Sequence, residues 1–270
     1  MPAIQLTRLK KQLVELRELW PQADKFVRGV QDLFEYYADY THRTGQAAEP
    51  APLLETYQVP PPLIRQIVLE LDDLAASQPQ HTLWVCDQLW EQPTYETRLL
   101  AIQLLGYITD QPREVGQRAG RWMAETTDEQ LAQMMFNHGV VRFAATHSEA
   151  YLELVEDWLG SASQDEQSLG VRALTALVRL PEFDNFPPCY RMLVPLMRQA
   201  PQELRPGLAQ LLRQLGERSP RETAYFFQEI LDAPPSPQTG LLIRMALDPL
   251  PADLQRAIRE RMRERGRSSG

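Results

Sequence analysis

The stretch Thr94-Tyr95-Glu96-Thr97-Arg98-Leu99-Leu100-Ala101-Ile102-Gln103-Leu104-Leu105-Gly106-Tyr107 carries apolar side chains at Tyr95, Leu99, Ile102 and Leu105. Intervals of four and three residues return to one side of a helix, so the stretch reads as one face of an amphipathic helix. Working outward, 3–19 (Ile4, Leu6, Leu9, Leu13, Leu16) and 61–76 (Leu63, Ile67, Leu71, Leu74) repeat the pattern. The segment 127–145 reads as a further helix, with Leu131, Met134 and Met135 as its apolar stripe. Period-two alternation closed by Asn-Gly or Asp-Gly turns does not occur, so strands have no support and the fold class is all-α.

Helix boundaries agree with this reading. Thr127 before Asp128 and Glu129, Ser148 before Glu149, Ser163 three residues ahead of Glu166, and Ser219-Pro220 ahead of Arg221-Glu222 supply caps or acidic first turns. Prolines such as Pro61, Pro112, Pro187, Pro220 and Pro237 fall between periodic stretches, where a missing N–H costs least. A dozen or more short helices, many in pairs, are the sequence form of a HEAT-like, armadillo-like helical solenoid. A loose repeat, Leu-x-x-x-Leu followed by a charged position, recurs in 96–107, 167–180 and 204–216. The expected organisation is an N-terminal helical pair over 1–44, an Ala- and Pro-rich connection at 44–56, and a helical-repeat domain over 57–250. A basic helix end with a frayed tail is expected over 251–270.

Composition narrows the function classes. Of 270 residues, 43% are apolar and 24% charged, a globular balance rather than a disordered one. Apolar runs fall well short of a membrane span, and the charged first 20 residues lack a signal core, so a cytoplasmic protein with no membrane partner is expected. Cys86 and Cys189 give neither a disulfide framework nor a metal spacing. The net charge of −8 is uneven. Residues 1–150 hold 13 basic and 20 acidic side chains, whereas 240–270 hold seven Arg against four acids.

The order of four segments carries a resemblance. Tyr57-Gln58-Val59-Pro60 with Pro61-Pro62-Leu63-Ile64-Arg65 is the first, and Leu89-Trp90-Glu91-Gln92-Pro93-Thr94-Tyr95-Glu96-Thr97-Arg98-Leu99-Leu100-Ala101 the second. Leu154-Val155-Glu156-Asp157-Trp158-Leu159 leading to Leu169-Gly170-Val171-Arg172-Ala173-Leu174 is the third, and Leu212-Arg213-Gln214 with Ser219-Pro220 the fourth. Together, over about 57–232, they resemble the DNA alkylation repair family, the AlkD-like HEAT-repeat alkylpurine DNA glycosylases. The resemblance implies duplex or damaged DNA as partner, bound on a concave face, by a monomer without cofactor or metal. It also implies a catalytic aspartate four residues after a tryptophan, a later tryptophan and an arginine near the phosphates. On this chain the first tryptophan position falls on Asp128, the aspartate position on Ala132, the later tryptophan on Gln210, and the arginine on Arg172.

Cleaving the glycosidic bond of a cationic base calls for an anion beside the sugar carbon as it turns positive. Ala132 has none to offer, so base excision is expected to be weak or absent, and enzymatic status stays open. Asp128, one turn earlier, is the remaining acidic candidate, with helix capping as its ordinary role. Arg172, Arg213, Arg118 and Arg121 are the candidate phosphate contacts, with solvated or ion-paired faces as the competing reading. Trp84, Trp90 and Trp158 are expected to pack in the core. His138 and His147, nine residues apart, lack ligand register for a metal. No nucleotide-loop, nucleophile-elbow or zinc-helix motif occurs. The alternative to DNA is a non-enzymatic protein–protein scaffold, which the acidic N-terminal half favours.

Overall fold

A computed structural model describes residues 6–38, 54–234 and 236–268. The first helices are α1 (Leu6–Glu18), α2 (Ala23–Tyr37), α3 (Pro61–Ser77), α4 (Pro79–Trp90), α5 (Tyr95–Leu105) and α6 (Pro112–Glu125). They continue with α7 (Glu129–Met134), a π-helical turn (Met135–Gly139) and α8 (Val141–Thr146). Then follow α9 (Ser148–Gly160), α10 (Gln164–Arg179), α11 (Pro187–Gln199), a 3₁₀ turn (Gln202–Leu204) and α12 (Arg205–Arg218). The last are α13 (Pro220–Asp232), α14 (Pro237–Ala246) and α15 (Ala252–Ser268). There is no strand among the described residues, only an isolated bridge between Glu55 and Thr94. The fold is all-α and of the helical-repeat kind.

Local chemistry sets these boundaries. Proline opens α3, α4, α6, α11, α13 and α14, where its fixed φ suits the first helical residue and its absent N–H would have had no partner. Ser163 caps α10 by accepting from the Glu166 amide at 3.4 Å, as the Ser-x-x-Glu spacing implies. The chain divides into two compact units, 1–147 and 148–270. In the first, α1, α3, α5 and α7 pack in succession, as do α2, α4 and α6, giving two layers joined by the α1–α2, α3–α4 and α4–α5 pairs. In the second, α9, α11, α13 and α15 form one succession and α10, α12 and α14 the other. Packing mainly on the next helix and the next but one is what stacked helical hairpins produce, with α11 on α14 and α5 on the π-helical turn as longer-range additions. The N-terminal pair thus packs directly on α3 and α4. The expected connection at 44–56 lies outside the described residues as far as 53.

Three expectations change. The helix at 94–107 is not amphipathic: Glu96, Thr97, Leu99, Leu100, Ala101, Ile102, Leu104 and Leu105 are all buried. It sits against α3, α4 and α7, and a helix covered on most sides needs apolar residues on most sides. The expected single helix at 127–145 is broken by the π-helical turn. There Gly139 lets Met135 Sδ and Ile102 Cγ2 close in, and Gly106 leaves room for the His138 carbonyl oxygen against the end of α5. The tail expected to fray is helical through Ser268.

Candidate functional site

The resemblance-bearing segments 57–65 and 89–101 meet in unit one. The Tyr95 amide donates to the Glu55 carbonyl at 2.8 Å, which draws residues 54–60 alongside the start of α5. Glu96, buried at the second position of α5, then accepts from the Thr56 hydroxyl at 2.5 Å and from the Tyr57 and Gln58 amides at 3.1 and 2.8 Å. A carboxylate taken out of water is retained only when donors replace that water, and these three do so. Gln58 adopts φ 55°, a left-handed turn held by this clamp, and Tyr57 is brought against Phe34 with ring centroids 5.8 Å apart. The Glu and Arg of this motif therefore have structural partners. Arg98 donates to the Gln92 carbonyl and lies 4.8 Å from the Trp90 ring centre.

Trp90 is buried and stacks on Trp122, with centroids 4.7 Å apart and planes within 7°. Its indole N–H donates to Glu125 at 2.8 Å. On the same pair of helices Asp87 gathers two arginines: Arg118 Nη2 at 2.8 Å and Arg121 Nη2 at 2.6 Å. Arg118 also reaches Glu114 at 2.9 Å. Burial works against the Arg118 charge, and its bonds to Asp87 and Glu114 outweigh that, holding the guanidinium above its ordinary pKa. Two of the four arginines read as phosphate contacts are thus engaged in ion pairs between α4 and α6. The pairing spans 31 residues and has no local sequence signal. Trp84 departs from expectation too: it is 47% exposed, beside His81, whereas Trp90 and Trp158 are buried.

Asp128 caps α7. Its Oδ1 accepts from the Gln130 amide at 2.9 Å and the Leu131 amide at 3.1 Å, and the residue is almost wholly buried. This is the capping role its position before a helix favours. Ala132, one turn on, is 7% exposed, between Leu131 and the buried Met135 turn that pack against α5. Its methyl belongs to the core. His138 is exposed and His147 half-buried, and no group of His, Cys, Asp or Glu able to hold a metal occurs among the described residues. Cys86 and Cys189 are free, buried thiols, and burial pushes both well above the ordinary thiol range.

Unit two places Arg172 on α10, half-buried, and Arg213 on the neighbouring α12, exposed. Gln210 is exposed on α12. Arg218, at the end of α12, has no counterpart among the candidates read from the sequence. Its guanidinium donates to the carbonyls of Val178, Leu180, Pro181 and Phe183 at 2.6, 2.7, 3.2 and 2.7 Å, fastening the α10–α11 connection. Four convergent carbonyls leave no sequence pattern, which is why it was missed.

With the geometry in place, comparison with protein families is decisive. The profile described as DNA alkylation repair enzyme matches residues 30–247, more than half of the chain. The chain belongs to the DNA alkylation repair enzyme family. The match is wider than the 57–232 expected from the four segments, taking in the second half of α2 and reaching past α14. A comparison with curated proteins finds no match. In this member of the DNA alkylation repair enzyme family the Tyr57 and Glu96 segments form a hydrogen-bonded unit, and Ala132, the position that the resemblance alone aligns with an aspartate, carries an interior methyl. No helix among the described residues is long and apolar enough to cross a membrane.

Proposed function

We propose that the protein binds duplex DNA, including duplex carrying a damaged base, through sequence-independent phosphate contacts in which Arg172 and Arg213 take part. The family match over 30–247 carries this reading. Supporting it, the two arginines sit on adjacent helices of one layer, α10 and α12, and Arg213 projects into solvent. Arg118 and Arg121 would have to leave Asp87 to reach a phosphate, so they enter the proposal only secondarily. Duplex held on the concave side of the helical array is part of the same proposal, as is action as a monomer without cofactor.

Base excision is not expected to accompany binding. The developing sugar cation needs a preorganised anion, and loss of one such group typically costs on the order of 10²–10³-fold. Ala132 provides a methyl, the Asp128 Oδ1 is occupied by two amides, and Gln210 offers no aromatic wall. The test titrates duplexes of unrelated sequence with wild type and with the Arg172→Ala, Arg213→Ala double variant. A loss of about tenfold or more, equal across sequences, is expected, because phosphate contacts carry no base information. Equal binding by the two proteins at low salt refutes the residue assignment. Release of free base from 7-methylpurine duplex by wild type, surviving Asp128→Asn, would refute the correspondence at Ala132.

A further inference from the structure

Helix α15 follows the residues matched by the family profile, which ends at 247. It holds Arg256, Arg259, Arg261, Arg263, Arg265 and Arg267 against Asp253, Glu260 and Glu264, in a chain of net charge −8. These arginines do two different things. At about 100° per residue, Ile258, Arg261 and Arg265 fall within about 60° of one another on one side of the helix. Ile258 is buried there, Arg261 pairs with Asp232 at the end of α13 at 2.5 Å, and Arg265 donates to the Ala233 carbonyl. On the opposite side, Arg256, Arg259 and Arg263 also fall within about 60°. All three are exposed, and among the described residues Arg259 donates to Gln255 Oε1 at 2.8 Å within its own helix. Asp253, three residues before Arg256, and Glu260, four after it, are the acidic neighbours of this stripe.

We propose that the Arg256–Arg259–Arg263 stripe is a second contact for the phosphate backbone of duplex DNA, appended to the family domain and held rigid by the α13 anchor. The inference rests on the duplex-binding reading above. From Arg256 to Arg263 the helix rises about 10 Å, a span over which three long arginine side chains reach neighbouring phosphates of a duplex backbone. Guanidinium is the side chain whose planar fork fits phosphate oxygens best. Three guanidiniums against the two bordering carboxylates leave the stripe net positive in a chain of net charge −8. An anionic membrane is the less fitting polyanion: the apolar residues of α15 lie away from the stripe, with Ile258 buried, leaving nothing to insert.

The test uses the full chain and the triple variant Arg256→Gln, Arg259→Gln, Arg263→Gln. Affinity for a fluorescent duplex is measured by anisotropy between 50 and 200 mM salt. Each phosphate contact contributes about 0.9 to the slope of log affinity against log salt. The variant should therefore have a slope shallower by about 2–3, and its deficit relative to wild type should shrink by about 40-fold across this range. A control, Lys10→Gln, Lys25→Gln, Arg28→Gln, removes three exposed charges from unit one and should leave the slope in place. An unchanged slope in the triple variant overturns the stripe while leaving the duplex reading intact. An equal slope change in the control also overturns it, the effect then being net charge alone. Selective loss of binding to phosphatidylserine vesicles with duplex binding unchanged assigns the stripe to lipid and overturns it too. Absence of duplex binding by wild type at 50 mM overturns both readings.

Discussion

Replacing Ala132 with Asp restores, in chemistry, the carboxylate that the family resemblance places at this position, and the structure says what that costs. Ala132 is 7% exposed, its neighbour Leu131 and the following Met135 are fully buried, and α7 packs on the all-round buried α5. A carboxylate here has little water around it, so burial raises its pKa above the free value of about 3.9. A shift of two to three units corresponds to about 3–4 kcal/mol lost at neutral pH, since each unit is about 1.36 kcal/mol. The sign follows from proton binding: between the two pKa values the folded state holds the proton that the unfolded state has released. The penalty is thus small below about pH 4, grows as pH rises from the unfolded toward the folded pKa, and levels off above the folded value. Urea unfolding of wild type, Ala132→Asp and the near-isosteric Ala132→Asn from pH 4 to 8 measures it. The Asn variant isolates the pH-independent cost of size and polarity, about 1–3 kcal/mol. A loss below about 1 kcal/mol at pH 7, unchanged at pH 4, would show that the side chain reaches solvent and refute the burial argument. A gain of base release by the Asp variant would make the same position part of an active cleft.

Gly106→Ala should cost about 3 kcal/mol or more, because the added methyl falls inside the van der Waals envelope of the His138 carbonyl oxygen, a backbone atom that cannot swing aside; denaturant midpoints check this, and a cost under 1 kcal/mol refutes the close approach. Arg218→Gln should lose about 2–4 kcal/mol by leaving the Val178, Leu180, Pro181 and Phe183 carbonyls short of donors, read in the same assay against a neutral outcome. The Arg17 guanidinium, hydrogen-bonded to Asp73, holds that carboxyl at about 2, so the contribution of this pair is present above the ordinary carboxylate range and lost as pH falls through about 2. In Arg17→Gln the Asp73 carboxyl should titrate near 3.8 by NMR, and an unmoved titration refutes the pairing. Cys189, raised to about 12 by burial, and Cys86 should both resist iodoacetamide at pH 8 until the protein is unfolded.

What the sequence reveals and conceals follows from the range of the interactions involved. The helix at 61–76 is realised as Pro61–Ser77, with Leu63, Ile67 and Leu71 inside, because apolar period and a proline start are both local signals. Asp128 as a cap and Ser163 ahead of Glu166 are equally local. The π-helical turn at Met135–Gly139 is not: it arises where Gly106 and Gly139 let that segment approach α5, a contact the spacing of Leu131, Met134 and Met135 cannot encode. Trp84 reads as core among Leu83, Val85 and Leu89, yet its side of α4 is left open, since only tertiary packing decides which stripe is covered. The same holds for the candidate site. The resemblance directs attention to Glu96 and Arg98, whose clamp on residues 56–58 and contact with Trp90 appear only in three dimensions. Charge counting alone offers Arg118 and Arg121 as phosphate contacts, while a single aspartate on the preceding helix engages both.

The central claim is that this family member meets DNA through its phosphates, and one titration tests it most directly. Wild-type affinity for an undamaged duplex, measured by anisotropy from 50 to 200 mM salt, should fall linearly in log–log form, with a slope of about −0.9 per phosphate contact. Contacts from Arg172, Arg213 and the α15 stripe together would give a slope of about −4 to −5. No binding at 50 mM salt, or an affinity that does not vary with salt, would contradict the account and return the helical array to the reading of a protein-binding scaffold.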